Sequence, residues 1–168
     1  IGAGPASFVA GLKTIDHRTA MLSLEKCYSD EALLSWAKGI DSRFMVTPKI
    51  DGLAISLRYD RRGTLFLGAT RGNGLKGENI SENVKMLRGV CQCLDFSKLQ
   101  PSDFEGKEME VRGEAFIEKG NFEKFSAEFV SPRNLAAGAL KQKNPENTRQ
   151  YGLTFLAYDV LGQHFTSE

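Results

Sequence analysis

The run 53-LAISLRY-59, preceded by Lys49, Asp51 and Gly52, constrains the fold more than any other stretch of this chain. Leu53, Ile55, Leu57 and Tyr59 share one parity, and Ala54, Ser56, Arg58 and Asp60 the other. That is the period-two alternation of a strand with one face on a core. Lys49 and Asp51 fall on the apolar parity. A strand beginning at Lys49 would turn both charges inward, where unpaired charge is costly. Two accounts stand at this point: a half-solvated Lys/Asp pair at a strand end, or an ammonium and a carboxylate held at the strand mouth for chemistry.

With 168 residues, 41% of them hydrophobic and 26% charged, the chain suits one domain with a core. No apolar run approaches the roughly 20 residues that span a bilayer, and the first residues do not resemble a signal peptide. Cys27, Cys91 and Cys93 have no zinc-finger spacing and fit packing thiols in a reducing, intracellular compartment. The chain starts at Ile1, as a partial piece would. Its net charge of +1 conceals local asymmetry. Between 58 and 88, Arg58, Arg61, Arg62, Arg71, Lys76, Lys85 and Arg88 outnumber Asp60, Glu78 and Glu82; between 131 and 149, Arg133, Lys141, Lys143 and Arg149 face Glu146 alone. The intervening 95–128 stretch is acidic in excess. The two basic segments can meet on one anion-binding face, although solvated helix and hairpin charge accounts for them equally well.

The segment 1–11, rich in Gly and Ala, reads as an extended lead-in. A helix follows at 29-SDEALLSWAKG-39, with Ser29 at the N-cap, Asp30 and Glu31 in the first turn, Lys38 in the last and Gly39 at C′. The first strand turns through 60-DRRG-63 into 64-TLFLGATR-71, an antiparallel hairpin. In 79-NISENVKML-87, Asn79 and Glu82 have capping-box spacing, and Ile80, Val84 and Leu87 share a helical face. After an irregular stretch come a strand at 108-EMEVRGEAFI-117, an amphipathic helix carrying Phe122, Phe125 and Phe129, a Pro-started helix at 131-SPRNLAAGALKQ-142, and a buried strand at 153-LTFLAYDVL-161. These elements predict an α+β domain on antiparallel sheet. The domain divides into a lead-in with the N-terminal helix (1–40) and a core (41–168).

The segment 72-GNGLKG-77 matches G-x-G-x-x-G, yet a dinucleotide-binding βαβ unit does not fit. Its preceding strand is the second arm of a hairpin, and 91-CQCLDFSK-98 is a poor buried return strand. Arg71 before the glycines and Lys76 among them suit a loop that approaches phosphate.

Taken in order, the chain holds 17-HRTAMLSL-24, K-x-D-G at 49–52, A-T-R-G-N-G-x-x-G-E at 69–78, E-V-R-G-E at 110–114, P-R-N-x-A-A-G-x-L at 132–140 and L-T-F-x-x-Y at 153–158. This set resembles the adenylation (nucleotidyltransferase) domain of bacterial NAD-dependent DNA ligases, over nearly the whole chain. The resemblance implies the antiparallel nucleotidyltransferase fold of the ATP-grasp-like DNA ligase and mRNA capping enzyme type. It implies NAD as AMP donor, Mg²⁺ as cofactor, nicked double-stranded DNA as partner, a monomer, no membrane, and the bacterial cytoplasm at the nucleoid. Lys49 would be the nucleophile that attacks the α-phosphorus of NAD, and an amine does so only when deprotonated. Asp51 would hold a ribose or the catalytic geometry; Ser23, Leu24, Thr47, Arg71, Glu114 and Tyr158 would bind the nucleotide, Tyr158 by stacking on adenine. Glu114 is also the implied metal ligand. Arg133 and Lys141 would contact DNA or phosphate. From the residues alone, Tyr158 also fits plain core, Glu114 a salt-bridged strand carboxylate, and Arg133 a surface charge at a helix start.

The chain departs from that pattern in places. Thr47 stands where a glutamate is customary, Lys141 for an arginine, Ala20 for a proline, Ser131 for an asparagine and Asn73 for an aspartate. The later D-G-x-x-x-K motif and the final motif lysine are not in the sequence, so the domain is expected to be C-terminally incomplete and a poor sealer of nicks in isolation. A non-catalytic nucleotide- or DNA-binding remnant of a ligase paralogue is the alternative.

Overall fold

The computed structural model describes residues 11–95 and 108–162. The lead-in 1–10 and most of the irregular stretch expected before Glu108 lie outside the described residues. Its centre is a four-stranded antiparallel sheet of order β3-β2-β5-β6, built from β2 (Leu53–Tyr59), β3 (Leu65–Thr70), β5 (Met109–Phe116) and β6 (Thr154–Gly162). The expected hairpin forms: Asp60 Oδ1 accepts from the amides of Arg62 and Thr64, each at 2.8 Å, and Gly63 takes φ 81. A two-stranded sheet not foreseen from the sequence pairs β1 (Thr14–Asp16) with β4 (Lys76–Glu78). Among the described residues every strand-to-strand ladder is antiparallel, the one parallel contact being the isolated bridge Arg88–Thr154, so the parallel return strand of a dinucleotide-binding unit is not formed there.

One face of the larger sheet is the core. Ile55, Leu57 and Tyr59 of β2 join Met109, Val111 and Ala115 of β5. They meet Ile80, Val84 and Leu87, and Leu135, Ala136 and Ala139 of the helix Pro132–Ala139. That helix is capped as its sequence implies: the Ser131 hydroxyl accepts from the Asn134 amide, and Pro132 occupies the first turn. Small residues on its inner side let it lie close to the sheet.

Four elements differ from expectation. Only Ser81–Val84 is helical in the 79–87 segment. Asn79 Oδ1 accepts from the Ser81 amide and hydroxyl, while Glu82 pairs with Lys85, so no capping box closes. The Phe122–Phe129 helix is instead a short helix (Lys119–Phe122), a 3₁₀ turn (Glu123–Phe125) and further turns, because all three rings reach the core from short local bends. The sequence reading missed the helix Pro145–Gln150, capped by Asn144. Finally, β6 is an edge strand: Leu156, Tyr158 and Val160 are 49%, 59% and 42% exposed, and only its start is buried. The N-terminal helix, Asp30–Ala37, has the expected Ser29 cap but buries none of its residues, and Gly39 does not adopt a left-handed conformation.

Candidate active site

Hydrogen-bonded pairing in β2 begins at Leu53, so Lys49 and Asp51 precede the ladder and are exposed rather than turned inward. Pro48 has no amide to give a ladder, and burying two charges is unfavourable, so the strand starts where the apolar residues do. Gly52, by contrast, is buried against β5: a Cβ there would collide with the Ala115 carbonyl. Its amide donates to Glu114 Oε1 at 3.1 Å. Asp51 Oδ1 accepts both Nε (2.9 Å) and a terminal nitrogen (2.7 Å) of Arg133, the second residue of its helix.

The other face of the sheet is polar. Glu114 stands opposite Ala54 and Leu156, and Tyr158 lies two residues along β6. Burial raises the Glu114 carboxyl above its ordinary range, opposed by the Gly52 amide and then by the positive charges of Lys49 and Arg133. The Tyr158 phenol is also raised, first by burial and then by the Glu114 charge, with Arg112 and Arg71 opposing. Lys49, Asp51, Glu114, Arg133 and Tyr158 are thus electrostatically coupled around the start of β2.

Arg71 closes β3, its amide bonded to the Ala54 carbonyl at 2.9 Å. The glycine cluster that follows is a tight turn: Gly72 and Gly74 have φ 56 and 94, conformations that side chains disfavour. Asn73 Oδ1 accepts from the amides of Leu75 (3.0 Å) and Lys76 (2.8 Å), a local closure that suits asparagine. An Arg71 guanidinium nitrogen reaches Ser23 Oγ at 3.3 Å. Between this turn and residues Ala20–Ser23 lies a cleft of about 290 Å³.

Ser23 is therefore brought to Arg71, whereas Leu24 and Thr47 are exposed in segments outside regular structure. Lys141, expected at DNA or phosphate, has its ammonium 2.5 Å from Glu78 Oε2, with both side chains largely buried. It lies just beyond the opposite end of the helix from Arg133, so these two cations do not share a site. Among the described residues no cluster of three His, Cys, Asp or Glu could hold a metal alone. Glu114 and Asp51 fit Mg²⁺ in its usual mode, in which one or two carboxylates share the ion with substrate phosphates.

Sequence reasoning overlooked a buried polar cluster on the same face. Arg112 Nε donates to Glu110 Oε1 at 2.8 Å, Ser56 Oγ donates to that oxygen at 2.9 Å, and Arg58 lies beside Glu110. Arg58, Glu110 and Arg112 are each 7% exposed. The alternation in β2 put Ser56 and Arg58 on one face, but only the register with β5 sets them against Arg112 and Glu110. His17, in the upstream segment, approaches the carbonyls of Thr70 (3.0 Å) and Arg71 (3.2 Å) through Nε2.

An antiparallel sheet that gathers a lysine, two carboxylates and an arginine at one strand mouth has the make-up of a group-transfer site. The chain matches the model of the NAD-dependent DNA ligase adenylation domain over residues 9–168 and belongs to that family. It is similar to DNA ligases of known sequence. One, from Thermomicrobium roseum, is 37% identical over 177 residues, covering 95% of this chain and 24% of that protein. Another, from Natranaerobius thermophilus, is 40% identical over 161 residues, covering 87% of this chain and 23% of that protein. A third, from Hahella chejuensis, is 35% identical and again covers 95% of this chain. The chain spans about a quarter of the length of these relatives. Among the described residues no helix is long and apolar enough to cross a membrane.

Proposed function

We propose that this chain carries the lysine-adenylating centre of an NAD-dependent DNA ligase. The observation that supports it is the convergence of Lys49, Asp51, Glu114 and Arg133 around Gly52, where the missing side chain lets backbone and ligand approach. In this reading the Lys49 amine, once it has lost a proton, attacks the α-phosphorus of NAD. The new N–P bond forms as the P–O bond to nicotinamide mononucleotide breaks, and the leaving group departs with the electron pair. Arg71 and Arg133 bind and orient the phosphates and ribose, and Tyr158 offers its exposed ring to adenine. Asp51 keeps Arg133 in place through the two-pronged contact, and Glu114 holds the Gly52 backbone or a ribose hydroxyl. Glu114 and Asp51 are the carboxylates that would hold Mg²⁺, which would supply positive charge to offset the negative charge on the phosphate oxygens. AMP then passes from Lys49 to the 5′-phosphate of a DNA nick, and the 3′-hydroxyl displaces it. The chain works as a monomer in the bacterial cytoplasm.

Intact-mass measurement after incubation with NAD and Mg²⁺ tests the proposal. A single AMP adduct that is absent from Lys49→Ala is expected. NAD binding without an adduct would favour a non-catalytic binding remnant, in keeping with the exposed Thr47 where a glutamate is customary. An adduct from ATP but not NAD would point to an ATP-using ligase.

A further inference from the structure

The segment Asp16–Met21 crosses the polar face of the sheet, and arginines from two strands hold it there by its carbonyls. Arg112 donates through both terminal nitrogens, to the carbonyl of Ala20 at 3.0 Å and of Thr19 at 2.5 Å, across 92 and 93 residues of sequence. Arg58 donates to the Asp16 carbonyl at 2.9 Å. On its other side the same segment is bonded to the glycine turn, His17 N to Leu75 O and Met21 N to Gly74 O, both at 2.9 Å. Met21 is buried, and the chain emerges beyond it to form one wall of the cleft and to meet Arg71 at Ser23.

We propose that Arg112 is a positioning residue: it straps Asp16–Met21 across the sheet and so sets the cleft wall Ala20–Ser23 at a fixed distance from Arg71. All three of its guanidinium nitrogens are committed, Nε to Glu110 and the other two to the strap. A planar fork meets three acceptors at once, whereas a lysine ammonium at that position cannot span them. Glu110, in turn oriented by Ser56, sets the rotation of the fork. The effect on chemistry is indirect, through how well the cleft receives the nucleotide, and in that respect it rests on the function proposed above.

The test compares the full 168-residue chain with its Arg112→Lys variant. Hydrogen exchange of the His17 and Met21 amides is read against that of the Ile80 and Val84 amides, which are bonded within the core side. Strap amides exchanging at least 10-fold faster, with Ile80 and Val84 unchanged, is the expected result. In parallel, the NAD concentration giving half-maximal lysyl-AMP formation rises about 10-fold while the rate at saturation stays within about 3-fold. Unchanged strap protection, or equal loss at all four amides, overturns the proposal. So does a fall in saturated rate with an unchanged half-saturation point. Should Arg112→Lys not fold, Arg58→Lys frees the Asp16 end and is judged by the same readouts, with a smaller expected effect. If the parent chain forms no adduct, the functional reading fails on its own, and the amide comparison still decides whether Arg112 holds the strap.

Discussion

Arg133 directs two of its nitrogens at a single oxygen of Asp51, a residue 82 positions earlier, and so ties the start of a helix to the segment that carries Lys49. Both side chains are more than half exposed, at 56% and 63%. Exposed ion pairs contribute about 0–1 kcal/mol to stability. Arg133→Lys is therefore expected to shift the melting temperature by no more than about 4 °C. Lysyl-AMP formation is expected to fall at least 10-fold, because a lysine cannot make the two-pronged contact. Thermal melts beside intact-mass kinetics check the split; parallel losses in both would count against it.

The Lys141–Glu78 pair behaves in the opposite way. Its side chains are only 19% and 10% exposed, and Glu78 Oε1 has no hydrogen-bond partner among the described residues. Lys141→Met leaves a buried carboxylate uncompensated, which costs about 3–5 kcal/mol when a partner is removed. Lys141→Arg, with a fork able to reach both oxygens, is expected to be at least as stable as the parent. Urea unfolding midpoints of the three proteins order these outcomes.

Tyr59 sits 2% exposed with its hydroxyl donating to the Cys91 carbonyl at 2.9 Å. Burial, and then the Cys91 thiol, push its phenol from 10.0 up to about 12. A raised phenol binds its proton in the folded state after the unfolded chain has lost it, so stability declines as pH climbs from about 10 towards 12. Removing the titrating hydroxyl in Tyr59→Phe is expected to lower stability at neutral pH, by about 1 kcal/mol for the lost bond, and to flatten that alkaline slope. Denaturant midpoints taken across pH 9–12 distinguish the two proteins.

The same logic applies to Glu114. Its carboxyl is raised above 4.5, chiefly by burial, so the folded state holds a proton that the unfolded chain releases. The group therefore reduces stability as pH rises through the window above 4.5. Glu114→Gln keeps an oxygen for the Gly52 amide and removes the charge. The variant is expected to lose that segment of the pH profile and to be at least as stable at pH 7, while adduct formation falls. A variant less stable than the parent at pH 7 contradicts this.

Much of the architecture was legible because local chemistry and global fold agree. Alternation gave the hairpin, Ser29 and Ser131 marked two helix starts, and Ile80, Val84 and Leu87 revealed their buried face. The strands Thr14–Asp16 and Lys76–Glu78 were not legible, since three residues carry no period and their pairing is long-range. Asn144–Pro145 is a valid helix start that went unread because the six-residue helix behind it is too short to show periodicity. An apolar run cannot tell an edge strand from a central one, hence the unexpected exposure of Leu156, Tyr158 and Val160. At the candidate site, Lys49 and Asp51 stood out by their place at the strand mouth, while Glu114 and Arg133 were pointed to only by the resemblance to the ligase family. Lys141 looked like a free cation because nothing nearby in sequence announces Glu78. The Arg112 cluster needed strand register, which no single segment contains.

Arg112 grips oxygens of the main chain, and every residue type has the same one to offer. The instructions for where Thr19 and Ala20 lie are therefore written 92 and 93 residues away, in a strand of the sheet, and not in Thr19 and Ala20 themselves. Ala20 can replace a proline under such an arrangement without moving the carbonyl that is held. Inherited change in the strap is then tolerated at these side chains, whereas a single altered codon at Arg112 would be felt along its whole length.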